Sequence, residues 1–526
     1  MAIPSPSPDA NAFPPGTILL EDRRVSHTEL VLSPTPSDDP DDPLNWSPLR
    51  KAVNFALTCS YVCFTFVLVV INGLAYRGYI AELGLTYATF NMAAGSNFIG
   101  LALGCLLFLP CVHKFGRRPI YLLSAITQFA CALIGVSLLA GLAGSISEAV
   151  VMITIVDLFF VHQHARFNGV FVFMQSLGTT GGPIACGYIV VDLGWRWMWW
   201  IVAIFLGVNF VLVLFFFEES KYVRSLNGHP TLPGNEAMMA HPKDEDEDEK
   251  DTHPARPIPT QTSTTAPRRS RKSIRQRLAF VTKTPGPIFQ HFYQPFLVLV
   301  CFPAVAYTAV TYGIILAFFS ATSSAGSYFL IYPPYNFSPS AIGLFHLGGF
   351  IGALLATLLM SPLIDWTIVR LARRNTGVFE PEMRLWMGIP AALVNCAAML
   401  LYGIGLGRGL HWAILAFAQG LFGFGFITAA DVALTYLSDC YLDILADALI
   451  AVVFIRNGFA ATIRFAFTDW LAAMGIRDTF ILIGVIALVS GALPVPLLLY
   501  GKRARVWTAQ RYKVFAGRQW GRRGTV

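Results

Sequence analysis

Glu148 and Asp431 each stand inside a long apolar run, and Arg456 and Arg464 share another. Keeping a charge in such a setting is costly, so a carboxyl group there is poised for reversible protonation near neutral pH. That chemistry is proton carriage. Glu148 is the first candidate for it and Asp431 the second; the plainer reading of either is a hydrogen-bonded acid at a helix interface. Arg456 and Arg464 are eight residues apart, two helical turns on roughly one side. Arg464 suits an anionic ligand, or it balances Asp431 or Asp469. Asp157 and Asp439 lie near the ends of their runs, where pairing with Arg166 or Arg456 in a gate is expected, and Asp365 is grouped with them.

Other chemistries find little support. The nine cysteines are scattered, with no C-x-x-C pair, so neither a redox motif nor a zinc site is indicated. His162 and His164 are two apart, which on a helix turns the rings to different faces. There is no G-x-x-x-x-G-K-[ST] loop, no H-E-x-x-H and no G-x-S-x-G. No metal, no cofactor and no enzymatic activity are expected.

The elements that must position these residues are membrane helices. The chain of 526 residues is 55% hydrophobic and 13% charged, against about 25% charged in soluble domains. Apolar runs of about 20 residues can cross a hydrocarbon core. Twelve are expected, near 52–75, 88–112, 118–137, 139–161, 168–191 and 195–217, then 295–320, 340–362, 384–406, 411–438, 446–471 and 478–500. The organisation is a disordered tail (1–50), a six-span bundle (51–220), a linker (221–290), a second six-span bundle (291–501) and a basic tail (502–526). The fold class is an all-α membrane protein.

Basic residues set the orientation. Lys114, Arg117 and Arg118, then Arg370, Arg373 and Arg374, then Lys502, Arg503, Arg505, Arg511 and Lys513 all fall on one side, predicted to be cytoplasmic with both termini. This asymmetry accounts for the net charge of +7, so no nucleic-acid partner is invoked. The sequon at Asn336 falls on the outer side as a glycosylation candidate, whereas that at Asn45 falls inside. The linker carries an acidic run, "KDEDEDEK", and a basic run, "RRSRKSIRQR", suited to a tether or to anionic lipid.

Two stretches carry a family resemblance. "HKFGRRPIYL" (113–122) resembles the loop signature G-x-x-x-D-R-x-G-R-R of the major facilitator superfamily. Lys114, Gly116, Arg117 and Arg118 match, while Leu109 and His113 stand where the glycine and aspartate belong. "NGVFVFMQSLGTTGGPIACGYIV" (168–190) resembles the span-5 signature of drug:proton antiporters, matching at Gly169, Gly178, Gly182, Pro183 and Gly187, with Cys186 replacing one glycine. Further similarity, as in "DDPLNWSPLRK", "EESKY" and "EPEMRLW", points to fungal twelve-span drug:proton antiporter-like transporters. The resemblance implies two six-helix bundles, a gate built from the 113–118 loop, alternating access, and export of a drug-like compound or secondary metabolite at the plasma membrane. The proton gradient would supply the energy, the partners would be a small-molecule substrate, protons and lipid, and the chain would be a monomer.

One departure stands out. Ile120 to Phe160 is about 41 residues, barely enough for two spans. Relatives usually carry an arginine in the first half of span 4, and none precedes "LLAGLAGSISEA" here. Asn97, Gln175, Tyr307, Tyr312 and Phe424 are the remaining candidates to line a substrate cavity, although packing or lipid contact is the stronger reading of the aromatic ones. A facilitator or importer of a small metabolite, or a non-transporting receptor on the same fold, are the alternative functions.

Overall fold

The computed structural model describes residues 14–19, 42–159, 161–221, 281, 289–375 and 377–518, without the side chains at 113, 149, 156, 161–166, 168 and 290. Expectations for His113, His162, His164 and Arg166, for nearly all of the linker and for most of the N-terminal tail lie outside the described residues.

Uncharged apolar sequence folds here as long helices, punctuated by glycine and proline. Span 1 runs through Pro48–Leu83 and ends at Gly84 with φ 62°. Span 2 is Tyr87–Phe115, capped by the Thr86 hydroxyl, and span 3 is Arg118–Ile134. Span 4 comes in two pieces, Ser137–Gly144 and Ile146–Leu158. Span 5 joins Val161–Ser176 and Gly182–Asp192 through a π-helical turn, Leu177–Gly181, and span 6 is Trp195–Phe216.

In the second half, a short helix, Gln290–Cys301, precedes span 7, Pro303–Phe329. The expected single run from 295 is divided there because the residue before a proline is pushed to extended backbone, as Phe302 is at φ −119°. Span 8 is Pro339–Phe345 with Leu347–Arg374, span 9 is Gly388–Gly407 and span 10 is Trp412–Cys440. Spans 11 and 12 form one stretch, Leu445–Ser490, broken at Gly475 where φ is 74°. The last helix, Pro494–Gly517, carries the basic run that was expected to be a tail.

Large apolar side chains are exposed as well as buried. Ile204, Phe215, Leu358, Leu359 and Val489 are all exposed, as lipid-facing side chains are. Tryptophans 197 and 200 mark one edge of this belt, and Trp366, Trp386 and Trp507 the other.

The two bundles share their largest common core at one end. At the end away from the basic loops, Ile71, Tyr76 and Met198 pack in one cluster with Phe318, Tyr402 and Phe467. At the basic end the core divides. One cluster is built around Tyr121, Ile155 and Phe159, the other around Phe302, Tyr436 and Tyr441. Ile450 and Val453 of span 11 are the C-terminal residues that join the first of these. The far end is closed, with Arg77 Nη2 donating to the Ile331 carbonyl at 2.6 Å.

The hairpin of spans 3 and 4 turns at Gly135, φ 80°, beside the middle of span 2. Asn97 Nδ2 donates to the Ser137 carbonyl at 3.0 Å. Asn97 lies ten residues into span 2, so the hairpin stops about 15 Å short of that helix's far end. Ile134, at the tip, is 74% exposed.

A small addition comes from the N-terminal segment. Ile18 and Leu19 pair antiparallel with Phe379 and Val378, the one strand pairing among the described residues.

Candidate functional site

The functional candidates fall into three layers between the bundles. The first is at the basic end. Gly116 takes φ 107°, a conformation that favours glycine, and a Cβ there would also collide with the Glu219 carboxylate. That turn aims the first amides of span 3 at Glu219, which accepts from Arg117 N at 2.9 Å and Arg118 N at 3.1 Å. Arg117 grips Asp157 through Nε at 2.9 Å, tying the loop to span 4. Arg118 Nη2 donates to the Leu214 carbonyl at 2.6 Å, and Lys221 Nζ to the Lys114 carbonyl at 2.9 Å. Burial, followed by the nearby Arg117 guanidinium, pushes the Lys221 ammonium down to about 8.

The second half repeats this plan. Arg384 Nε binds Asp439 of span 10 at 2.5 Å, with Asp365 at 3.9 Å. Arg505 forms a two-pronged, buried pair with Glu382 at 2.8 and 2.7 Å. The expectation that Asp157 and Asp439 pair with Arg166 or Arg456 is corrected for Arg456, which holds Glu148, while Arg117 and Arg384, each from a loop of the same bundle, hold the two acids; the Arg166 side chain lies outside the described residues. Sequence reading missed Glu219, Arg384, Glu382 and Arg505 as members of these ion-pair networks. The signal for the first three was present in "EESKY" and "EPEMRLW", acidic and basic residues at span ends, whereas Arg505 was read only as part of the basic tail.

The second layer is an ion pair across the bundle interface. Glu148 Oε1 of span 4 meets Arg456 Nη2 of span 11 at 2.5 Å, and Asn457 Nδ2 donates to Oε2 at 2.9 Å. Both charged side chains are under a tenth exposed. The guanidinium also lies over the Tyr312 ring at 4.8 Å. Tyr312 in turn abuts Phe426 of span 10, ring centroids 6.1 Å apart.

The third layer, nearer the far end, holds Arg464, which bonds to Ser320 and Asn91. It pairs with neither Asp431 nor Asp469. Asp431 instead lies within the C-terminal bundle, accepting from Ser361 Oγ of span 8 at 3.3 Å, and Asp469 is exposed.

The span-5 glycines make close contacts at three of four positions, two of them against backbone and one against a side chain. A Cβ at Gly178 would strike the Cys63 carbonyl, and one at Gly182 would lie 2.6 Å from Val67. At Gly187 it would lie 2.7 Å from the Pro339 carbonyl of span 8. Gly169 faces open space. Pro183 follows the π turn, whose wider coil accommodates a residue without an N–H.

The other candidates disperse. Asn97 gives its amide N–H to span 4, while its Oδ1 is buried without a hydrogen bond. Tyr307 lines a small cavity of about 20 Å³ within the C-terminal bundle, with Thr311 and Asn395. Gln175 and Phe424 are half-buried on spans 5 and 10. Asn336 is exposed in the far-end loop, and its sequon serine caps span 8 by accepting from Ala341 N at 3.2 Å.

Comparison with known proteins agrees with this architecture. The chain is 30% identical to the uncharacterized MFS-type transporter C1271.10c of Schizosaccharomyces pombe, over 95% of this chain and 94% of that protein. It is 27% identical to Protein HOL1 of Saccharomyces cerevisiae, over 94% of each. The efflux pump radE of Floropilus chiversii is 25% identical, over 89% of this chain and 83% of that one. The fold matches the crystal structure of a D-xylose-proton symporter with a TM-score of 0.57 at 14% identity, over 85% of this chain and 97% of that one. Residues 55–441 match the family model described as Major Facilitator Superfamily. Two six-helix bundles, closed together at one end and carrying loop arginines paired to acids at the other, belong to a secondary transporter, and this chain is a member of the major facilitator superfamily.

Proposed function

We propose that this chain is a proton-coupled exporter of a drug-like compound or secondary metabolite, working by alternating access in the plasma membrane with both termini in the cytoplasm. The observation that carries this reading is the Glu148–Arg456 pair. It joins span 4 to span 11, and so one bundle to the other, at the level where their cores divide. Separating a buried pair leaves a charge without its partner, which costs about 3–5 kcal/mol. Protonating Glu148 removes one charge and lowers the cost of moving the bundles. Arg456 keeps the Tyr312 ring for company in the protonated state. Proton occupancy at Glu148 then decides whether the interface is tied or free, which is what coupling requires.

Export is supported by the span-5 contacts. Gly178 and Gly182 meet span 1, and Gly187 meets span 8, so span 5 packs closely on its own bundle and on the other. No cofactor is invoked; the proton gradient is the energy source. In this orientation the described state is closed to the outside, and Asn336 is extracellular and available to carry a glycan.

The test is proton flux in inside-out vesicles with an acid interior and a panel of amphipathic compounds. Compound-dependent alkalinisation is expected in the wild type. It should be lost in Glu148→Gln and kept in Asp431→Asn, because Asp431 does not reach the other bundle. Flux that survives Glu148→Gln, or compound movement with no proton movement, would sink this reading.

A further inference from the structure

Five arginines are buried among the described residues, and four have a carboxylate beside them. Arg117 holds Asp157, Arg456 holds Glu148 and Arg505 holds Glu382. Arg118 lies in the field of Glu219 and Glu218. Arg464 is the exception. It is 7% exposed, and its partners are neutral: Nε donates to Ser320 Oγ at 2.8 Å and Nη1 to Asn91 Oδ1 at 3.3 Å.

The surroundings continue in the same sense. Ser324 Oγ donates to the same Asn91 oxygen at 2.6 Å, and the Tyr87 hydroxyl sits 2.6 Å from Ser324. Asn91 Nδ2 donates to Thr468 at 3.1 Å. The cluster holds one full positive charge, several hydroxyl and amide groups, and no acid. A guanidinium out of water without a counter-charge is unfavourable, and a neutral side chain would pack there at less cost. A binding role accounts for its presence.

Alternating access supplies the occasion. Asn91 is on span 2, in the N-terminal bundle; Arg464 and Ser320 are on spans 11 and 7, in the C-terminal one. When the far end parts, Asn91 withdraws and the planar guanidinium faces the cleft, free to take an oxyanion with two parallel N–H bonds. Beside it stands an aromatic wall. The Tyr87 and Tyr328 ring centroids are 4.3 Å apart, and those of Tyr76 and Phe90 5.1 Å.

We propose that Arg464 binds a carboxylate on the transported solute, so that the cargo is an organic acid with an ionised carboxyl group on an apolar or aromatic body. This assignment rests on the transporter reading above and adds the charge of the cargo.

The experiment uses the full chain in lipid nanodiscs and proteoliposomes, with two matched probe pairs: 4-phenylbutyrate and its amide, and 1-naphthaleneacetate and its amide. Each carboxylate is expected to raise the thermal unfolding midpoint and its amide to leave it unchanged. Arg464→Gln should weaken carboxylate binding at least tenfold, while Arg464→Lys keeps part of it. Without ligand, Arg464→Gln should unfold no earlier than wild type, since it loses an uncompensated charge; a purely structural arginine would show a lower midpoint. Ser320→Ala, which keeps the charge and removes one bond, gives a milder loss and serves if Arg464→Gln does not fold. Equal shifts from acid and amide, an undiminished carboxylate shift in the variants, or no shift from either carboxylate overturns the proposal. Flux separates it from the coupling reading. Carboxylate movement through Arg464 without protons defeats coupling alone, whereas proton movement driven only by the amides defeats the carboxylate site alone.

Discussion

Gly187 shows how much one side chain of zero size decides. Its Cα faces the Pro339 carbonyl of span 8, and backbone cannot step aside as a flexible side chain can. Gly187→Val is therefore expected to force spans 5 and 8 apart, at a cost of about 1–3 kcal/mol for overpacking, and to cut transport at least tenfold in a vesicle assay. Gly169→Ala, at a position with nothing within 4 Å, should change neither transport nor the unfolding midpoint. The two glycines look alike in the signature, and only their neighbours distinguish them. Glu219 makes the converse point. It reads as one of two acids after span 6, yet it accepts from two backbone amides that begin span 3.

At the scale of elements, the last helix does more than end the chain. Arg505 is buried at 1% exposure, paired to Glu382, and donates to the Pro15 carbonyl and the Thr17 hydroxyl at 2.6 and 3.0 Å. It thus staples the N-terminal segment, the short helix Pro381–Met387 before span 9 and the final helix together at the basic end. Arg505→Ala leaves Glu382 buried and alone, so stability should fall by about 3–5 kcal/mol, read as a lower unfolding midpoint of the purified chain in detergent. Removing both charges, with Glu382→Gln in the same chain, should recover part of the loss. The short hairpin of spans 3 and 4 is the other element with consequences. Its tip at Ile134 sits about 15 Å below the far end of span 2. Such a short hairpin is met by local thinning of the bilayer, by snorkelling of flanking residues or by association with another helix.

At the scale of the whole molecule, closure is uneven. The bundles share one core at the far end, then separate into two toward the basic end, with span 11 bridging them. Asn91 of one bundle and Ser324 of the other are in direct contact in this closed state, at 2.6 Å. A pair of cysteines, Asn91→Cys with Ser324→Cys, placed in a chain stripped of its native cysteines, should cross-link on oxidation. Transport should stop when the bond forms and return on reduction. A cross-linked chain that still transports would show that the far end need not open.

The amino-acid sequence by itself determined the spans, the two-bundle plan, the family and the candidate ionisable residues. Those features depend on composition, length and local spacing, all of which lie along the chain. Glu148 and Arg464 stood out because a charge within an apolar run is conspicuous whatever surrounds it. Their partners were not legible. Arg456 lies 308 residues from Glu148, and Arg505 lies 123 from Glu382; no local pattern connects them. Proximity of helix ends suggested Asp157 and Asp439 as partners for Arg166 or Arg456, but Arg456 holds Glu148, and Arg117 and Arg384 from the loops hold the two acids. Tertiary structure alone decided which charges meet, which glycines touch backbone and which arginine is left without an acid, because pairing is a property of packed helices and not of any one of them.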